Sequence, residues 1–186
     1  MSILSLLGWF GTLLYLINHG YISLITKWKP SLYYGGNLVA ALSLVITSVV
    51  AQSWQAVVIN GFWALISILL LAKVDLKRFA IAQSWYMGGI ALLWLWLAVI
   101  SVQAAALDLT VLGWTSAYVF SLAYLLFSAG RMEPQHYLLW NGYAALALLP
   151  QLWLDQNLPV LTLEIAWACL SFYGAARKYS QIHLID

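Results

Sequence analysis

A chain of 186 residues that is 64% hydrophobic and only 8% charged carries more apolar surface than one soluble core can bury, so lipid must solvate the remainder. A net charge of +2 gives no reason to expect a nucleic-acid partner, and the single cysteine, Cys169, excludes an internal disulfide and a cysteine-based metal cluster. Mean hydropathy of +0.88 and 15% aromatic residues, with 11 Trp, fit an integral membrane protein with interfacial aromatic belts.

About 20 residues at about 1.5 Å each cross roughly 30 Å of hydrocarbon, and the backbone must close its own hydrogen bonds as helix. Seven segments meet that requirement. The first, Leu4 to Ile25, follows no basic region and no small-residue cleavage site, so it reads as a retained helix and not a signal peptide. The second and third, Ser31 to Ala51 and Trp54 to Ala72, run nearly together. The fourth spans Phe79 to Leu107, the fifth Thr110 to Ser128, and the sixth Pro134 to Leu154. The seventh, Leu158 to Ala176, is set off by Asp155-Gln156-Asn157 and Pro159. Pro30, Pro134 and Pro159 fall at helix starts, where a missing N–H is tolerated. Pro150 is mid-helix and predicts a kink in the sixth segment.

The second and third segments recur. Pro30, Tyr33, Asn37, Ala40, Ala41, Leu44, Gln52, Trp63 and Ser67 return, at one constant offset and without a gap, as Pro134, Tyr137, Asn141, Ala144, Ala145, Leu148, Gln156, Trp167 and Ser171. One residue of slippage extends the match upstream, because Leu7-Gly8-Trp9 returns as Leu112-Gly113-Trp114. The expected fold is all-α: two three-helix repeats, residues 1–77 and 109–186, joined by a linker helix within 78–108. With seven crossings, all of Lys27, Lys29, Lys73, Lys77, Arg78, Arg131, Arg177 and Lys178 fall on one side of the membrane, and Asp108 and Asp155 on the other. The positive-inside rule then puts the N-terminus outside and the C-terminus in the cytoplasm of a bacterial inner membrane. An odd linker makes the repeats parallel, related by an axis along the membrane normal.

Glu164 is the one acid well inside a predicted helix. A carboxylate in hydrocarbon costs on the order of 2–3 kcal/mol or more, so it is expected to face the bundle interior or water. Trp167 and Ser171 follow it on the same helical face, and Asn60, Trp63 and Ser67 repeat that spacing in the third segment. Amides and indoles so arranged suit a sugar-, nucleoside- or headgroup-like solute; they also serve as interhelical glue. Asn37 and Asn141 precede small-residue patches and are expected to close hydrogen bonds to neighbouring helices. Trp140 stands where the first copy has Gly36, which makes any pocket asymmetric, and Tyr143 is one turn away. His19 is expected to anchor at an interface, with His136 and His183 in water. No metal-binding spacing, nucleophile-base pair or phosphate loop is present, so neither an enzyme nor a cofactor is expected.

The arrangement resembles the SWEET and SemiSWEET transporters of the PQ-loop superfamily in its 3+1+3 parallel-repeat plan. Val57 to Leu71 and Leu158 to Ser171 look like the SemiSWEET segment in which an asparagine contacts sugar, a position held here by Asn60 and by Glu164. Ile17-Asn18 and the stretch around Leu122–Tyr124 stand in place of the superfamily's Pro-Gln pair. The repeats also look like an uncharacterised family of small bacterial membrane domains with a Gly-Trp start, a central Asn and a late Trp. These resemblances imply a membrane transporter or binder of a small polar or amphiphilic solute, held near the midplane between the repeats. Asn60 and Glu164 would orient the solute while Trp63, Trp167 and Trp140 stack on it, beside Asn37 and Asn141. Protonation of Glu164 would couple movement to pH. The rival expectation is an accessory subunit of a membrane complex, with the tryptophan-rich fourth segment (Trp85, Trp94, Trp96) as a homodimer or partner surface.

Overall fold

The computed structural model describes residues 2–24 and 29–182, so Lys27 and His183 lie outside the described residues. Within them are seven α-helices and no strand: α1 (Ile3–Leu24), α2 (Pro30–Val50), α3 (Trp54–Leu71), α4 (Gln83–Ala104), α5 (Leu109–Ser128), α6 (Pro134–Leu154) and α7 (Leu158–Ile182), with a 3-10 turn at Leu76–Arg78. Five of them (α2, α3, α4, α5 and Leu158–Arg177 of α7) are long and apolar enough to cross a membrane, which makes this a multi-pass membrane protein. The apolar part of α1, Ile3–His19, is shorter. Helix α6 is not among the five; Gln135, His136, Asn141 and Gln151 dilute it.

The duplication is visible in how the helices stop. Helix α2 ends with Gln52 at φ 54° and α6 with Gln156 at φ 54°. In both, the next N–H reaches back five residues (Ser53 to Ser48 O, 2.9 Å; Asn157 to Leu152 O, 3.1 Å), while the glutamine N–H reaches back three. This double bond pattern satisfies two of the carbonyls that a helix end leaves open. It also turns the chain sharply enough for α3 and α7 to begin two residues later. The same left-handed device ends α3 at Lys73, α4 at Ala105 and α5 at Gly130.

Three boundaries differ by more than one residue from those expected, one of them the end of α4 at Ala104 and not Leu107. Helix α4 begins at Gln83 and not near Phe79. The Arg131 guanidinium explains this by donating to Ala80 O (3.2 Å) and Lys77 O (3.4 Å), which holds the preceding segment out of the helix. Helix α7 continues to Ile182 because nothing after Ala176 breaks it, and a helix end outside hydrocarbon has no reason to follow the apolar boundary. Helix α6 is continuous through Pro150. At its outset α5 is capped by Asp108, whose side chain accepts from Val111 N at 2.8 Å.

The chain forms two compact units: Met1–Leu76 with Leu152–Leu163, and Lys77–Gln151 with Glu164–Asp186. The first is a bundle in which α1 packs on α2 and α2 on α3. Three hydrogen bonds fix the turn between α6 and α7 to that bundle. Thr12 Oγ1 donates to Pro159 O (2.7 Å), Asn157 Nδ2 to Ser48 Oγ (3.0 Å), and Ser53 Oγ to Asp155 Oδ2. Compactness therefore groups part of the second copy with the first. In the second unit α4 packs on α5, and Ser116 Oγ on α5 donates to Ala144 O on α6 (2.7 Å). Only Tyr86 and Ile90 of α4 are buried.

Candidate functional site

Asn37, Asn60 and Trp63 belong to the first unit. Asn18 Nδ2 donates both to Asn37 Oδ1 and to Tyr33 O, each at 2.7 Å, tying α1 to α2. Gly36 makes room for this amide, since a Cβ at that position would lie 3.1 Å from Asn18 Cγ. Asn60 is buried, but its Nδ2 is directed back to Ala56 O of its own helix (2.9 Å). Trp63 meets Tyr15 of α1 edge-on, with ring centroids 5.8 Å apart.

Trp140, Asn141, Glu164 and Trp167 belong to the second unit. Asn141 Nδ2 donates to Tyr137 O (2.7 Å), and its Oδ1 accepts from Trp167 Nε1 of α7 (3.1 Å). The repeated positions thus build analogous bridges from different partners: Asn37 is met by Asn18 of α1, Asn141 by the tryptophan of α7. Replacing Trp167 by Phe removes the indole N–H that donates to Asn141 Oδ1. A buried acceptor left unmade costs about 1–3 kcal/mol, and thermal denaturation of the purified protein should fall accordingly.

Trp140 points away from that bridge into an aromatic cluster shared with α4. It meets Tyr86 edge-on (5.8 Å), Trp94 at a tilt (6.4 Å) and Tyr143 edge-on (6.2 Å). A polar thread runs beside the rings, in which Trp94 Nε1 donates to Tyr143 Oη (2.8 Å) and that hydroxyl pairs with Thr115 Oγ1 (2.7 Å). Sequence reasoning gave neither Asn18 nor Thr115 a place among the candidate site residues. The first has no counterpart in the second copy, and the second is an ordinary helical threonine until its neighbours are known.

Glu164 is the one acid among the candidates. It is 5% exposed, and its Oε2 has no hydrogen-bond partner among the described residues. The next charged side chain along α7 is Arg177, thirteen positions on and so about 20 Å away along the axis. No group of three or more His, Cys, Asp or Glu side chains is clustered among the described residues, so Glu164 is not part of a multidentate metal centre there.

A family model matches the chain in two regions, residues 4–78 and 109–181. These are the two copies, and α4 lies outside both. The family is an uncharacterised one built on two repeats. No curated protein matches the chain, and no solved structure does.

Proposed function

The chain belongs to this two-repeat family, and we propose that it binds a small polar or amphiphilic solute and moves it across a bacterial inner membrane. In this reading the N-terminus is outside and the C-terminus cytoplasmic, as the one-sided placement of all eight Lys and Arg residues favours. The 3+1+3 order of repeats and linker resembles that of the SWEET transporters, and in this reading it forms a transport body. Glu164 is the observation that carries the proposal. A carboxylate held in an apolar interior without a donor is costly, and such a group is retained where something other than the protein completes it.

The reading is tested at position 164 itself. Cys169 is the sole cysteine, so a Cys169→Ala background carrying Glu164→Cys isolates the site. Membrane-impermeant methanethiosulfonate reagents should modify the new thiol in vesicles of known orientation, because a transported solute needs an aqueous route to its site. A folded protein whose position 164 resists reagent from both faces would sink the transport reading. It would favour an accessory subunit, the alternative supported by α4, which buries only Tyr86 and Ile90 and exposes Trp85, Trp94 and Trp96.

A further inference from the structure

We infer that the solute completing Glu164 is an organic cation, bound through its ammonium group; this rests on the reading of Glu164 as a solute site. Helices α4, α5 and α6 contain no Lys, Arg, Asp or Glu. The histidine of α6, His136, sits at the helix start beside Glu133 (3.6 Å). On α7 the only other charges are Arg177 and Lys178, beyond the far end of the apolar stretch. No side chain of these helices therefore supplies the positive charge that an interior carboxylate demands, and that charge arrives either as a proton or with a ligand.

The remaining polar groups narrow the ligand further. A sugar-like solute is held by an array of donors and acceptors, yet the amide and indole that α6 and α7 could offer to such an array are bonded to each other. Asn141 is engaged at both ends, by Tyr137 O and by Trp167 Nε1. An anion would be repelled by Glu164, with no cation of these helices to offset the repulsion. Ca²⁺ and Mg²⁺ take six or more oxygen ligands and Zn²⁺ about four N, S or O ligands, and Glu164 belongs to no acidic or histidine cluster among the described residues. One carboxylate between buried Val160 and Ala168, one helical turn to either side, matches a ligand with one charged nitrogen on an apolar body.

The experiment uses the full chain in lipid vesicles and three probes on one carbon skeleton: phenethylammonium, 2-phenylethanol and phenylacetate. Dicyclohexylcarbodiimide modification of Glu164, followed by mass spectrometry, reports occupancy of the carboxylate. Phenethylammonium at roughly ten times its dissociation constant should slow modification about tenfold, and the neutral and anionic probes should not. It should also raise the unfolding temperature of the wild type but not of Glu164→Gln. Equal protection by 2-phenylethanol would overturn the charge assignment and leave the solute site standing. Absence of both protection and a Glu164-dependent thermal shift with phenethylammonium would overturn the inference outright. If the cysteine at position 164 were also sealed from water, the transport reading would fall with it.

Discussion

Alanine at Gly89 is expected to unseat α4 from α5 and lower the thermal stability of the protein, while alanine at the adjacent Gly88 leaves it unchanged. A Cβ at Gly89 would overlap the hydroxyl and Cζ of Tyr118, whereas one at Gly88 would meet nothing within 4 Å. Tyr118 cannot simply swing aside. Its ring is stacked on that of Tyr86 (6.1 Å, 7° between planes), which is itself fully buried and meets Trp140 edge-on. Its hydroxyl also faces Trp85 O and Tyr86 O at 3.4 Å. Overpacking of this kind costs about 1–3 kcal/mol, a large share of what holds a helix with two buried residues. Thermal melts of Gly89→Ala, Gly88→Ala, Tyr118→Ala and the Gly89→Ala/Tyr118→Ala double variant would check this. The double variant should recover part of the loss, because alanine at 89 then fills space that the missing ring has vacated. Equal melting of the two glycine variants would show that the ring yields and that the contact does not hold α4.

The helical plan was legible because two independent regularities agreed. The repeat supplied matched ends, and Gln52 and Gln156 terminate their helices with the same backbone geometry. The lengths of the apolar runs supplied the count of segments, with which the one-sided placement of positive charge agreed, and α6 has the bounds expected of it. What stayed hidden depends on long-range partners. The start of α4 is set by Arg131, some fifty residues away in sequence, reaching the carbonyls of Lys77 and Ala80. Local propensity carries no trace of that contact. In the candidate site, the two repeated asparagines could be read as interhelical bonding groups, but their partners could not be named. Asn18 serves Asn37 from a position that the second copy does not repeat, in space that Gly36 leaves open. Trp140 replaces that glycine in the second copy and turns to α4, a helix with no repeat counterpart for comparison. The places where the copies diverge are the places where one copy could not predict the other. Glu164 in place of Asn60 is the divergence that matters most: the amide bonds its own helix, and the carboxylate has no such recourse.

Leucine at that position should therefore stabilise the protein while abolishing its response to phenethylammonium. Glu164 Oε2 is buried without a donor, and a buried acceptor left unmade costs about 1–3 kcal/mol. Leucine of similar size removes that cost and adds apolar contact beside Val160 and Ala168, both buried. Glutamine retains a polar end without a partner, so its gain should be smaller. The expected order of unfolding temperature, in one detergent and without added solute, is Glu164→Leu above Glu164→Gln, with the wild type lowest. Trp167→Phe, one turn along the same helix, should move in the opposite direction because its indole N–H has a partner to lose. A side chain kept for stability does not behave in this way; stability sacrificed at a site that recognises a ligand does. If Glu164→Leu instead melts below the wild type, the carboxylate is performing a structural task, and both the solute site and its preference for cations are wrong.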